Sequence, residues 1–336
     1  MPNISVSILT LKETMVYTLA GPYDIFSSAA FCSQEFSTSK PQFSATTQLV
    51  GLKQGPITCY NGLKIHCQQT LDEVEKTDLI IIPSLDLPQG SLLAHYPSLK
   101  KWLLEHHKNG ATIASICAGS FLLAESGLLD GKVATTHWAF ADKMQQLFPT
   151  VEIHSDKIIT EQDNIICSGG ATSWQDLVSY LIHKFADKKI AHQIDHYFLL
   201  NTHIEGQLPY KKLASTVRHQ DAVIQQTQEW IKENIAHTDL LNQGVLFSGL
   251  PERTFKRRFK IATGQSPNHY IQNARIDQAK YLLETNTENI QSIAEKVGLS
   301  DGSYFRRLFK RKTEITAHDY RKQFSGFKAS KKILLR

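Results

Sequence analysis

The chain has 336 residues, 41% of them hydrophobic and 21% charged, a composition that suits two or three globular domains with buried cores. No apolar run approaches the roughly 20 residues of a membrane helix, and five cysteines, an odd number in a chain this long, argue against a disulfide framework. The formal net charge of +5 conceals a partition: residues 1–210 hold 14 lysines, no arginine and 20 acids, a formal −6, whereas residues 211–336 hold 23 lysines and arginines against 12 acids, a formal +11. Arginine's planar fork suits phosphates and guanine edges, so the partition points to a nucleic-acid partner for the C-terminal part alone.

The start, Met1-Pro2-Asn3-Ile4, lacks a basic region followed by an apolar run, so no signal peptide is expected and the location expected is cytoplasmic. Residues 4–10 alternate as a strand does, and an apolar helical segment follows from about Leu19 to Phe31. Leu79-Ile80-Ile81-Ile82 is wholly apolar, typical of a central parallel strand covered on both faces. A helix over 97–108, a buried strand over 111–116 and a helix over about 119–126 come next. Short strands near 151–154, 157–160 and 164–168 precede a helix from Ser173 to about Phe185. This alternation predicts an α/β, flavodoxin-like three-layer sandwich with a mostly parallel sheet.

Within it, Ile116-Cys117-Ala118-Gly119-Ser120 sets a cysteine at the end of a buried strand, with small residues opening a helix. That is the arrangement of a nucleophile elbow, where the helix start lowers the thiol pKa and offers backbone N–H groups to an anion. His137 lies 20 residues on and can approach the sulfur. The plainer alternative makes Cys117 a small buried residue and His137 a satisfied polar one.

The segment from Ser115 through Gly119 and Thr135-Thr136-His137 to Trp138 resembles the elbow region of PfpI-like, glutamine-amidotransferase-like domains. Within that group it is most similar to GlxA-type transcriptional regulators, over roughly residues 3–190. The resemblance implies that Cys117 is the elbow residue and His137 stands at the histidine position of the family's enzymes. In related regulators an Asp usually precedes the Leu-Ala-Gly-Pro segment; here Thr18 precedes Leu19-Ala20-Gly21-Pro22, and Asp24 is either a substitute acid or an ordinary surface carboxylate. A missing acid weakens proton control at the sulfur. The domain is therefore expected to bind rather than turn over a ligand, with Cys117, Ala118, His137 and Thr18 around it. A PfpI-like cysteine-dependent hydrolase or hydratase using Cys117 and His137 is the alternative.

Residues 191–218 read as a helical connector after a 1–190 sensor and dimerisation domain, with Gly206 to Pro209 marking the linker. His192 and His196 share the i, i+4 spacing of metal-binding pairs, but no third ligand is apparent, so neither a metal nor a cofactor is expected.

From Asp221 the helical periodicity strengthens, and one pattern then occurs twice. Gly249-Leu250 is followed by Phe255, Arg257 and Phe259; Gly298-Leu299 is followed, with one residue inserted, by Phe305, Arg307 and Phe309. Aromatics at i and i+4 lie on one helix face, which leaves a basic and small polar face opposite. Each copy reads as helix, tight turn, helix: scaffold segments over 240–247 and 290–297, presented helices over 252–262 and 302–312. Ser266-Pro267 is a helix start, opening a connecting helix to about Thr285. Gly244 and Val245 stand in the first scaffold where Ile293 and Ala294 stand in the second, so the first unit is expected to pack less well.

Over about 219–324 this stretch resembles the AraC/XylS DNA-binding domain, through Arg253-Thr-Phe-Lys-Arg-Arg-Phe-Lys260, Thr263-Gly-Gln-Ser-Pro267, Arg275-Ile-Asp-Gln-Ala279, Ile293-Ala294 and Tyr320-Arg321. The resemblance implies base reading by Arg253, Lys256 and Arg257 and by Ser303, Arg306 and Arg307, with Arg258, Lys260, Lys310 and Arg311 on phosphates. It also implies a homodimer that binds double-stranded DNA, an amino-acid-like or amine-derived effector, and activation. Glu314 and Ala317 replace a Gly and a Pro common in the family, and residues 325–336 form a basic tail.

Overall fold

The computed structural model describes residues 3–35, 43–87, 90–214 and 219–325. The tail expected over 325–336 lies, beyond Ser325, outside the described residues. The chain divides into two compact units, Met1–Gln207 and Leu208–Arg336.

The first unit is built on a seven-stranded sheet. From edge to edge its strands are Ile159–Gln162, Ile165–Ser168, Thr112–Ile116, Leu79–Ile82, Asn3–Leu9, Ser44–Gly51 and Gln69–Thr70. Neighbours are parallel except Ile159–Gln162, which runs against Ile165–Ser168. Because side chains alternate along a strand, Ile80 and Ile82 enter one core with Trp102 and Phe121, while Leu79 and Ile81 enter another with Phe26 and Leu177. Helices Pro97–Lys108 and Ser120–Ser126 bury their apolar residues in the first core; Tyr17–Glu35, Trp174–Phe185 and Lys188–Phe198 bury theirs in the second. The three-layer α/β sandwich expected from the sequence is the fold. The strand Ser44–Gly51 and the hairpin Gly55–Thr58 with Lys64–Cys67 were not legible, because polar residues in half-exposed strands leave no apolar alternation.

Helix Lys188–Phe198 also differs from its expectation as a connector. Asp187 caps it by accepting from the Ile190 amide at 3.0 Å, and Ile190, Ala191 and Ile194 are buried in the second core. Residues 191–207 therefore belong to the first unit, and the change of unit comes at Leu208.

Seven helices make up the described part of the second unit: Ala222–Glu233, Leu240–Ser248, Glu252–Thr263, Pro267–Thr285, Ile290–Lys296, Gly302–Thr313 and Ala317–Phe324. Two cores form, one around Phe255 and Phe259, the other around Phe305 and Phe309. The long middle helix serves both, giving Tyr270 and Ala274 to the first and Ile276, Ala279 and Leu283 to the second. It starts as read, with Ser266 accepting from the His269 amide at 3.3 Å and Pro267 in the first turn.

The internal repeat runs further than the helix pair. Thr263 and Thr313, each donating its hydroxyl at 2.8 Å to the carbonyl of Phe259 or Phe309, occupy matching positions. Tyr270 then stands edge-on to Phe259 at 5.2 Å, as Tyr320 does to Phe309 at 5.5 Å.

Candidate functional sites

In each presented helix the aromatic pair is wholly buried, which forces the opposite face outward. Arg253, Lys256, Arg257 and Lys260 are exposed on Glu252–Thr263, and Ser303, Arg306, Arg307, Lys310 and Arg311 on Gly302–Thr313. The turns before them need glycine. Gly298 has φ +73°, and a Cβ there would fall 2.9 Å from the carbonyls of Ile235 and Ala236. Asp301 starts the second helix, accepting from the amides of Ser303 at 2.8 Å and Tyr304 at 3.0 Å. Those amides hold its carboxyl below the usual range. In the first helix Glu252 pairs with Lys256 one turn on, a surface contact too weak to immobilise the ammonium.

Arg258 is placed otherwise than the sequence suggested. Its guanidinium binds both oxygens of Asp221, the residue that caps Ala222–Glu233, so it braces two helices instead of facing a phosphate. Arg275 is likewise structural: buried, it donates to the His237 carbonyl. Arginine content therefore overstates the number of surface contacts available.

In the second copy a groove of about 720 Å³ is lined by Arg306, Arg307, Lys310 and Arg311, with Thr316 and His318 from the start of Ala317–Phe324. Arg306 and Arg307, expected on bases, share it with Lys310 and Arg311, expected on phosphates, while Ser303 is not part of its lining. Glu314, at the end of the helix, has φ +63°, the conformation that Gly264 takes at +72° in the first copy.

The first unit carries the cysteine elbow. Cys117 ends strand Thr112–Ile116 with φ +54°, a strained value for a residue with a side chain. Hydroxyls of Ser120 at 2.9 Å and Thr136 at 3.1 Å hold its carbonyl. Gly119 makes the turn possible, since a Cβ there would lie 2.5 Å from the Pro83 carbonyl oxygen. Burial pushes the Cys117 thiol up; the Ser84 hydroxyl and the Ala118 amide offset this in part.

Thr18 is fully buried, donates to the Met15 carbonyl at 2.7 Å and accepts from the Ser84 amide at 3.0 Å. Its one proton is committed to the backbone. His137 accepts from the Ala139 amide through Nδ1 at 3.1 Å, and burial lowers its pKa, keeping the ring neutral. No hydrogen bond joins it to Cys117 among the described residues. Asp24 is exposed on its helix. Two residues in the first unit were not singled out from sequence: Tyr17, whose phenol is pushed up by burial and by the nearby Cys117, and Glu13, a buried acid that accepts from the Tyr96 hydroxyl with both oxygens. A lone acid in a loop and a tyrosine at the first position of a helix carry no periodic signal, so only the fold brings them to notice.

Residues 5–184 match the DJ-1/PfpI family, and residues 247–323 match a helix-turn-helix domain. The HTH-type transcriptional regulator CdhR of Pseudomonas aeruginosa is 26% identical over 262 residues, 76% of this chain and 75% of that protein. An isonitrile hydratase of Pseudomonas putida is 26% identical over 174 residues, 52% of this chain and 68% of that enzyme. A crystal structure from Vibrio parahaemolyticus shares the fold, with TM-score 0.51 at 23% identity, covering 58% of this chain and 98% of the other. The hydratase match covers about half of this chain, whereas the regulator match covers three quarters, and a hydrolase or hydratase does not account for the paired helices. The chain belongs to the DJ-1/PfpI family and, with the helix-turn-helix domain behind that fold, is an AraC-type transcriptional regulator.

Proposed function

We propose that this regulator is a cytoplasmic homodimer that activates transcription when a small amino-acid-like or amine-derived effector occupies its first unit, and that it has no enzymatic activity. The observation that carries the DNA reading is the repeated framework of buried aromatics, which turns two basic faces outward. Arg253, Lys256 and Arg257 then read bases from one helix and Ser303, Arg306 and Arg307 from the other, while Lys260, Lys310 and Arg311 bind phosphates. The 19-residue helix Pro267–Thr285, about 28 Å long at 1.5 Å per residue, suits helices entering successive major grooves about 34 Å apart.

The effector site is the elbow, with Cys117, Ala118 and His137 at its wall and Thr18 beneath. A thiol raised by burial, with no acid at Thr18, suits binding better than turnover. Exposed Phe31 and Tyr197, edge to face at 6.2 Å on neighbouring helices, offer an apolar surface for subunit pairing. The test uses the full chain and a duplex selected from random sequence. Arg306→Ala should weaken binding to the selected duplex by about 1–3 kcal/mol and non-specific binding far less. Equal affinity of variant and parent for that duplex would count against the assigned face.

A further inference from the structure

Helices Trp174–Phe185 and Lys188–Phe198 bring together three side chains that neither the elbow nor the DNA face uses. His183 comes from the last turn of the first helix, His192 and Asp195 from one face of the second. One nitrogen of each histidine and one oxygen of the aspartate all lie within 4.8 Å of one another. We propose that His183, His192 and Asp195 form a Zn²⁺ site that ties these two helices together.

His183 Nε2 and Asp195 Oδ2 are already 3.1 Å apart. Two ligands of a tetrahedral zinc, with bonds of roughly 2.0–2.1 Å, stand about 3.3 Å apart. Two of the three donors therefore have ligand spacing, and exposed His192 reaches the remaining position by a change of rotamer. The Ser179 hydroxyl donates to Asp195 Oδ2 at 3.0 Å and so fixes the carboxylate. The other oxygen, Oδ1, is buried without a hydrogen-bond partner. Two imidazoles and one carboxylate favour zinc over Mg²⁺ or Ca²⁺, which take oxygen ligands throughout. A water completes the four-coordinate shell. The i, i+4 partner visible in the sequence, His196, takes no part; the third ligand comes from the preceding helix.

The experiment strips the full chain with chelator and titrates it with Zn²⁺ against a competing indicator, then repeats the titration with Co²⁺ and reads the visible bands of tetrahedral cobalt. The expected result is one Zn²⁺ per chain, at least tenfold weaker binding in His192→Ala and Asp195→Asn, loss of the cobalt bands in both, and no competition from Mg²⁺. His192 is exposed, so its replacement leaves the fold intact. Absence of zinc binding by the parent chain, or binding equally tight in both variants, overturns the proposal; the second result assigns the metal to other histidines or to the cysteines.

Discussion

Arg258 grips Asp221 through two parallel hydrogen bonds, Nε to Oδ2 at 2.9 Å and Nη2 to Oδ1 at 2.7 Å. Asp221 also accepts from the Ile224 amide at 3.2 Å, so one carboxylate both caps the first helix of the unit and anchors the third. The guanidinium holds the Asp221 carboxyl below the usual range and is itself pushed up by it. Those two N–H groups are committed to the carboxylate, which holds the guanidinium against Ala222–Glu233. Arg258→Met should therefore lower the thermal midpoint and leave the salt dependence of DNA binding as it was. Lys260→Met should do the opposite, reducing the log–log salt slope by about 1. Salt titrations of both variants decide it, and a reduced slope in Arg258→Met would restore that residue to the phosphate set.

Gly244 tests the packing of the first scaffold helix. A Cβ there would meet Thr227 and Ile231 side chains at 3.8 Å, ordinary van der Waals contact. Gly244→Ala should raise stability by about 1 kcal/mol, the usual helix-interior difference, as read by urea unfolding. A lowered midpoint would show that the helices cannot accept a methyl group.

Glu314 and Gly264 end matching helices with left-handed backbones. Glu314→Gly relieves strain and should stabilise by about 0.5–1 kcal/mol, while Gly264→Ala should destabilise by a similar amount. Nothing lies within 4 Å of a Cβ at Gly264, so only backbone conformation is at stake there. Opposite signs in denaturant titrations are the expected result.

His203 lies against Asp176, its Nδ1 at 2.8 Å from Oδ2. That hydrogen bond is the main cause of the raised His203 pKa, with burial opposing it. The folded state thus binds the proton more tightly than the unfolded chain. The stabilisation is complete below the unfolded value near 6.5 and fades as pH rises through the raised folded value. Unfolding followed from pH 5 to pH 9 should show this decline, and His203→Gln should flatten it. An unchanged slope in the variant would assign the pH dependence to other groups.

Cys117 should react slowly with iodoacetamide at neutral pH, slower than a free thiol with its few per cent of thiolate. Burial raises this thiol, so the nucleophilic form is scarce. Mass spectrometry of timed alkylation checks it. Reaction faster than a free cysteine would revive the enzyme reading.

Much of the site was legible because it rests on local pattern. Phe255 and Phe259 announce their helix by spacing, and that spacing alone exposes Arg253, Lys256 and Arg257. The Cys117 elbow was legible through the resemblance to PfpI-like domains, whereas the residue pattern by itself also suited a small buried cysteine. The extent of the first unit was not, because Lys188–Phe198 is amphipathic and only the core against it shows that it is packed.

What the sequence by itself determined was the alternation of the central strands and helices, the two-part charge division and the outward face of each presented helix. These depend on periods of two and 3.6 residues, which a linear reading detects. The tertiary structure alone decided the partners: Arg258 with Asp221, 37 residues apart, Glu13 with Tyr96, and His183 with Asp195. Such pairings depend on where helices and strands meet in space, and no short-range pattern encodes that meeting.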